Sequence, residues 1–379
     1  MDPFSDSFYR EPAPRVEDSL DCEQRLYQSL KWEVLSDVED PTDSILRRFT
    51  PDGNHLIAFS KDMQAVRCFE LRDSLVSCDR FIFQRLFKPV WESRLCVASG
   101  MELLCKDFCL FFADNLMLLT ASVPSPAIFP QSLPRYPRTL SSYSRIEDIT
   151  FYLLDLKDGS VLDRLSFKTD FILLSHNGGV GLCGDLLAIL SLQHQVIYLY
   201  RIAEKRLKYE RQISDLLDPG EVPQWDRILE LRRFDGFHQR LHAYLYLQIE
   251  SKPLFYRLRD CLQRYCFWRL QFLDQDTLLL RLVPEQMLTH GLEPNRLTNS
   301  YFALWSISRK TVLGFWHEGS KGFSDFIDTN IHKLRYAGTW EEQVGLPSKA
   351  VHQGNCLQER SRIKLTYEFM CENSSSSSR

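Results

Sequence analysis

The sequence predicts an all-β fold of propeller-like, WD40-like blades, on three observations. Short apolar runs alternate with turn residues along most of the chain. A strand–turn–strand unit at residues 53–71 returns at 184–202, where Ala188-Ile189-Leu190-Ser191 matches Ile57-Ala58-Phe59-Ser60. Ser60 and Ser191 stand 131 residues apart, about what three blades of 40–45 residues span.

Residues 1–45 come first and hold twelve acids against four bases. The whole chain of 379 residues carries 46 basic and 50 acidic residues, for a net charge of −4. Within this acidic arm the spacing predicts a helix over 16–35. Leu20, Leu26, Tyr27, Leu30 and Val34 form its apolar stripe, and Ser36, Asp37, Asp40 and Pro41 close it. The stripe either caps the chain's own core or enters a partner's groove.

The propeller-like domain is placed at 46–345. Phe49 to Gly53 is its first turn, with strands at Leu56–Ser60 and Ala65–Leu71. Further strand pairs are expected in Leu103–Leu119, Ile149–Phe167 around Lys157-Asp158-Gly159, Leu241–Ile249, Phe267–Leu282 around Asp274, and Tyr301–Trp316 around Ser308-Arg309-Lys310. Trp225-Asp226 is the single WD dipeptide and closes no clear strand.

Two segments interrupt the strands. Residues 123–145 hold five prolines and five serines and read as a mobile surface loop. Residues 253–267 read as a helical insertion, with Leu254, Leu258, Cys261, Leu262 and Tyr265 on one face. That face either packs on the domain or holds a partner, with Leu254, Leu258, Leu262 and Tyr265 as the partner contacts. Residues 346–379 lose the strand rhythm and read as a disordered or divergent tail.

Chemistry-bearing patterns are few. The eleven cysteines are scattered, without CxxC spacing, and read as reduced thiols. His238 and His242 stand one helical turn apart, but Arg240 between them would repel a cation, so no metal is expected. Asp274 and Asp276 read as turn residues. Gly178-Gly179-Val180-Gly181 lacks phosphate-loop spacing and precedes a strand, so it reads as a tight turn. Ser175 beside His176 makes a poor nucleophile–base pair, because neighbours on a strand point to opposite faces. The expectation is a non-enzymatic interaction platform without cofactors. The charge balance argues against general nucleic-acid coating, and no apolar run approaches a membrane span.

Several blocks together resemble the de-etiolated family, nuclear repressors of light responses, in its plant-type form. They are Phe49 to Gly53 with Ile57 to Ser60, Leu104-Cys105-Lys106-Asp107-Phe108, and Leu174 to Val180 running into Asp185 to Leu192. Arg240-Leu241, Phe267 to Asp274 and Tyr301 to Trp305 continue the likeness, which covers roughly 20–330.

The resemblance implies a β-propeller that joins the damaged-DNA-binding adaptor of cullin-four ubiquitin ligases. A small accessory subunit and a ubiquitin-conjugating enzyme or its inactive variant would join the same assembly. It also implies association with histone tails, repression of transcription and a nuclear location. Known members continue with further strand-rich sequence, so the chain is expected to be shortened at its C-terminus, as a truncation, splice form or paralogue, and its ring need not close. The family's insertion is much shorter here, between Leu207 and Arg240. The leading expectation is a non-catalytic scaffold or substrate receptor of a cullin-four ligase, docked through Leu20, Leu26, Tyr27, Leu30 and Val34. The alternative is a chromatin-associated propeller that binds histone tails without ligase assembly.

Overall fold

The computed structural model describes residues 38–39, 43–50, 54–71, 81–83, 87–96, 102–112, 116–124, 146–174, 178–214, 236–289 and 300–336. The acidic arm's stripe, the proline-rich loop from 125 to 145, Ser175–Asn177, Trp225-Asp226 and the tail lie outside them. The chain divides into two units, one mainly Pro12–Ser122 with Phe151–Leu162, the other mainly Asp163–Val344.

The first eleven strands are β1 (Val38–Glu39), β2 (Ser44–Phe49), β3 (His55–Ser60), β4 (Ala65–Leu71), β5 (Phe81–Ile82), β6 (Phe87–Arg94), β7 (Leu103–Leu104), β8 (Leu110–Phe112), β9 (Leu116–Pro124), β10 (Glu147–Asp155) and β11 (Val161–Asp170). β2, β3, β4 and β6 form a four-stranded antiparallel sheet in that order, and β1 pairs in parallel with β5. A five-stranded sheet runs β11-β10-β9-β7, with β8 also on β9.

The first unit buries Ile57, Phe59, Val66, Cys68, Met117, Tyr152 and Leu154 in one cluster. Burial explains why β3 reads as an unbroken apolar run, since a central strand covered on both faces has no polar side to alternate with. Gly159 closes the Lys157-Asp158-Gly159 turn at φ +71°, and a Cβ there would lie 2.4 Å from the Trp91 ring. Both facts exclude other residues from the position. Trp91 Nε1 donates to the Leu156 carbonyl at 2.8 Å and fixes that ring.

The second unit adds β12 (Val180–Cys183), β13 (Leu186–Ser191), β14 (Val196–Ala203), β15 (Arg206–Ile213), α1 (Phe237–Gln248), α2 (Lys252–Leu262), β16 (Tyr265–Phe272), β17 (Thr277–Pro284), α3 (Glu285–Thr289), β18 (Tyr301–Ser306), β19 (Thr311–His317) and α4 (Lys321–Tyr336). Two four-stranded antiparallel sheets, β12 to β15 and β16 to β19, each run in chain order. All six residues of β13 are buried.

The recurrent sequence unit has a structural cause. Ser60, Ser191 and Ser306 each end a strand before a four-residue turn. Each hydroxyl accepts a backbone N–H from that turn or just beyond it: Ala65 at 2.9 Å, His194 at 3.1 Å and Arg309 at 3.2 Å. Each also donates to a carboxylate, that of Asp62, Asp170 or Asp276 respectively. Met63, Gln195 and Lys310 take left-handed φ of 54°, 56° and 51° in these turns. The offset of 131 residues therefore marks one latch used again, with a third copy at Ser306.

The two sheets of the second unit are joined by a side chain. The buried Gln195 accepts the Phe267 N–H at Oε1 over 2.6 Å, and its Nε2 donates to the Leu192 and Phe267 carbonyls. The β16–β17 register shifts between Phe267 and Arg269 at this point. Gln195→Ala would strip buried backbone groups of these partners, so a loss of about 2–4 kcal/mol is expected in urea unfolding. A variant as stable as the parent would show that the amide bridge is dispensable.

Two expectations need correction, and one helix was unforeseen. Residues 241–249 were expected as a strand, but Phe237–Gln248 is helical. Residues 253–267 were expected as one helix, but α2 ends at Leu262 and Tyr265 begins β16. The chain turns at Arg264, whose N–H donates to the Cys261 carbonyl. The run Tyr265-Cys266-Phe267-Trp268 that follows has the aromatic content of a strand. Finally, α4 was not anticipated, and Phe323 and Phe326 on it stack against Phe302 and Trp316.

Candidate functional site

The most distinctive surface of the second unit is the helical hairpin α1–α2. Helix α1 begins at Gly236 without a side-chain cap, and the Phe237 N–H donates instead to the Ser214 carbonyl at 3.1 Å. Phe237, Leu241, Leu245 and Ile249 recur every four residues and lie in the core. Leu262 and Tyr265 are buried in the same cluster, and Leu254 and Leu258 pack against it. Of the two readings of this stripe, packing on the domain is the one these contacts support, with Leu254 and Leu258 half-buried against the unit's own core.

What α2 turns outward is the opposite stripe. Lys252, Tyr256 and Arg259 recur at spacings of four and three residues, and the Arg259 guanidinium lies 5.1 Å from the Tyr256 ring centre. Lys252 Nζ lies 3.5 Å from the Tyr246 ring centre, tying α2 to α1. Leu247 is 72% exposed and Tyr256 43%. Tyrosine and arginine are side chains from which interface anchors are drawn. Sequence reasoning missed this stripe because it followed the apolar face. No local signal marks it, because packing decides which side of the helix stays open.

The residues weighed for chemistry fall elsewhere. His238 and His242 do sit one turn apart on α1, their ring centres separated by 6.4 Å. His238 is buried against Phe237 and Phe267. Among the described residues no group of three or more His, Cys, Asp or Glu gathers to hold a metal. Asp274 accepts the N–H groups of Asp276 and Thr277 and so caps its own turn. In the Gly178–Gly181 stretch, Gly181 keeps space, since a Cβ would lie 2.7 Å from Leu270.

Titration sorts the remaining groups. Burial pushes the Cys96 thiol up to about 12, so it stays protonated. Asp276 is drawn up by burial, but the Ser306 hydroxyl, the Ser308 N–H and hydroxyl and the Arg309 charge hold it below the ordinary carboxylate value. Asp170 goes the other way, with complete burial raising it to about 7 against the pull of Ser191, Phe171 and Gln193. A carboxyl near neutrality is what a general base requires. Asp170 is only 1% exposed, however, and serves a strand-end latch. Among the described residues no helix is long and apolar enough to cross a membrane.

Four- and five-stranded antiparallel sheets in chain-order neighbourhoods, with a helical hairpin on one unit, define an all-β propeller-like scaffold. The chain belongs to the de-etiolated family: residues 106–377 match the family model described as De-etiolated protein 1 Det1. That match runs through the segment from 346 that the sequence pattern set apart as a tail. The chain is 26% identical over 360 residues to the Light-mediated development protein DET1 of Solanum lycopersicum, covering 82% of this chain and 65% of that protein. It is 35% identical over 209 residues to the protein of the same name from Arabidopsis thaliana, covering 52% of this chain and 37% of that protein. The chain thus spans less than two thirds of the length of either relative. A solved structure titled as the Dos1 propeller aligns at a TM-score of 0.29 and 11% identity, covering 77% of this chain and 51% of that one. At that level the likeness is too low for inference, and the strand order itself carries the fold.

Proposed function

We propose that this chain is a non-catalytic scaffold or substrate-receptor subunit of a cullin-four ubiquitin ligase that represses light-regulated development and transcription in the nucleus. The observation that carries the reading is the family match over 106–377, with two relatives named for light-mediated development. The acidic arm would dock to the damaged-DNA-binding adaptor through Leu20, Leu26, Tyr27, Leu30 and Val34. The outward stripe of Lys252, Tyr256 and Arg259 would remain for a further component, either the small accessory subunit or the ubiquitin-conjugating enzyme or its inactive variant. A scaffold needs rigid, separately addressed surfaces rather than a tuned nucleophile, and the strand-end latches supply such rigidity.

The test is co-expression with the adaptor followed by size exclusion. A stoichiometric complex is expected for the parent chain. Placing charges in the apolar stripe with Leu26→Asp and Leu30→Asp should abolish co-elution while the thermal melt stays sharp. A parent chain that ignores the adaptor overturns the ligase reading and leaves histone-tail binding as the alternative. Salt-sensitive retention of a basic histone-tail peptide would then support that alternative.

A further inference from the structure

We propose that the outer edge of β15, together with the cavity beside it, binds an extended acidic peptide as an added strand. This site is independent of the ligase reading. In its sheet β15 pairs with β14, and no described strand pairs with its other side. Beside the edge lies a cavity of about 330 Å³, floored by the buried Ile213, Trp305 and Ile307 and rimmed by Glu210, Arg211, Gln212 and Lys310. That volume is at the small end of ligand-sized cavities and suits one or two apolar side chains.

Both lips are braced before any ligand arrives. Arg211 Nη1 donates to the Ile307 carbonyl at 2.9 Å, drawing the edge strand to the β18–β19 turn. Asp276 holds that turn through the Ser306 hydroxyl at 2.8 Å and the Ser308 N–H at 2.7 Å. The Trp305 ring is backed by Phe237, 5.5 Å away between centres.

Charge selects the occupant. Lys205, Arg206, Lys208 and Arg211 lie on the strand and the turn before it, with Lys310 on the opposite lip and Arg309 next to it. Four acids oppose these six bases locally: Glu204, which pairs with Lys208 at 2.7 Å, Glu210, Asp163, whose carboxylate accepts the Leu207 N–H, and Asp276 beside Arg309. That leaves a basic excess in a chain whose net charge is −4. Tyr209, 57% exposed on the same strand, offers a ring alongside the path. Main-chain pairing along the edge would supply affinity, the apolar floor would take one side chain, and the basic rim would select acidic neighbours.

The test uses the intact chain and a fluorescein-labelled peptide of alternating Asp and Val, about ten residues long to span β15. An alternating Lys and Val peptide is the control. The acidic peptide should bind saturably by anisotropy and slow amide exchange across Arg206–Ile213. Arg309→Glu with Lys310→Glu should weaken it about tenfold or more, and Arg206→Glu with Lys208→Glu, on the exposed strand surface, should do the same. Absence of binding, equal binding of the basic peptide, unchanged affinity in both double variants, or unaltered exchange on β15 would each overturn the proposal. Displacement by inorganic polyphosphate at matched charge would do so too, by showing a general anion patch.

Discussion

Phe237→Ala is expected to cost about 3–5 kcal/mol of folding stability, the range for a fully buried aromatic cut to a methyl group. Phe237 is 0% exposed. Its ring meets Phe267 edge-on at 4.8 Å and Trp305 at 5.5 Å, so it ties the start of α1 to β16 and β18 together. Two aromatic walls held by separate strands cannot collapse onto an alanine, so the cavity term is added to the lost transfer term. Domains of ordinary size hold about 5–15 kcal/mol in total, which makes this a large fraction. Urea unfolding should show a clearly lower midpoint. Limited proteolysis should cut first near Leu247, on the hairpin that Phe237 anchors. A midpoint within about 1 kcal/mol of the parent would mean that α1 is not held by this contact.

The same residue shows why part of the fold was legible and part was not. Leu241, Leu245 and Ile249 satisfy two periods at once. With Ala243 and Leu247 they alternate as a strand, and with Phe237 they repeat every four residues as a helix. The exposure of Leu247 and the burial of Phe237 decide between the two, and neither is available to periodicity alone. Tyr265 misled for the mirror-image reason. It continues the helical stripe of Leu254, Leu258 and Leu262, and it is buried in the same core, but from a strand.

The repeated unit was legible because one latch chemistry requires serine at the strand end in both copies. The latch itself, and with it the third copy, went unread because in the second and third copies the carboxylates, Asp170 and Asp276, come 21 and 30 residues before the serine, a tertiary contact that no local pattern shows. The outward stripe of α2 and the basic rim of β15 were unreadable for a further reason. Each is defined by which side of an element the core leaves open, and that is settled by tertiary packing.

Asp170 provides the pH test of that packing. Its folded-state value is raised to about 7 by burial, while the unfolded chain titrates near the ordinary 3.8. Below about pH 4 both states hold the proton and the neutral latch is intact. As pH rises toward 7 the unfolded state ionises while the folded state keeps its proton, so stability falls. Above about pH 7 both are charged, and the loss is complete at on the order of 4 kcal/mol.

His194 lies in the same window with the opposite sign. Burial lowers its value, so its contribution is lost as pH falls. Asp276, held low, loses its contribution only in more acid solution. Comparison with Asp170→Asn isolates the carboxyl, because the amide keeps an acceptor for the Ser191 hydroxyl and cannot ionise in this range. Urea midpoints at about pH 5 and about pH 8 should show the parent losing ground to the variant by a few kcal/mol as pH rises. A parent–variant difference that stays constant across that interval would mean that Asp170 is already charged at pH 5. The latch would then be an ordinary ionised one, like that of Asp276, and the serine at the end of β13 would be answering a carboxylate rather than a neutral acid.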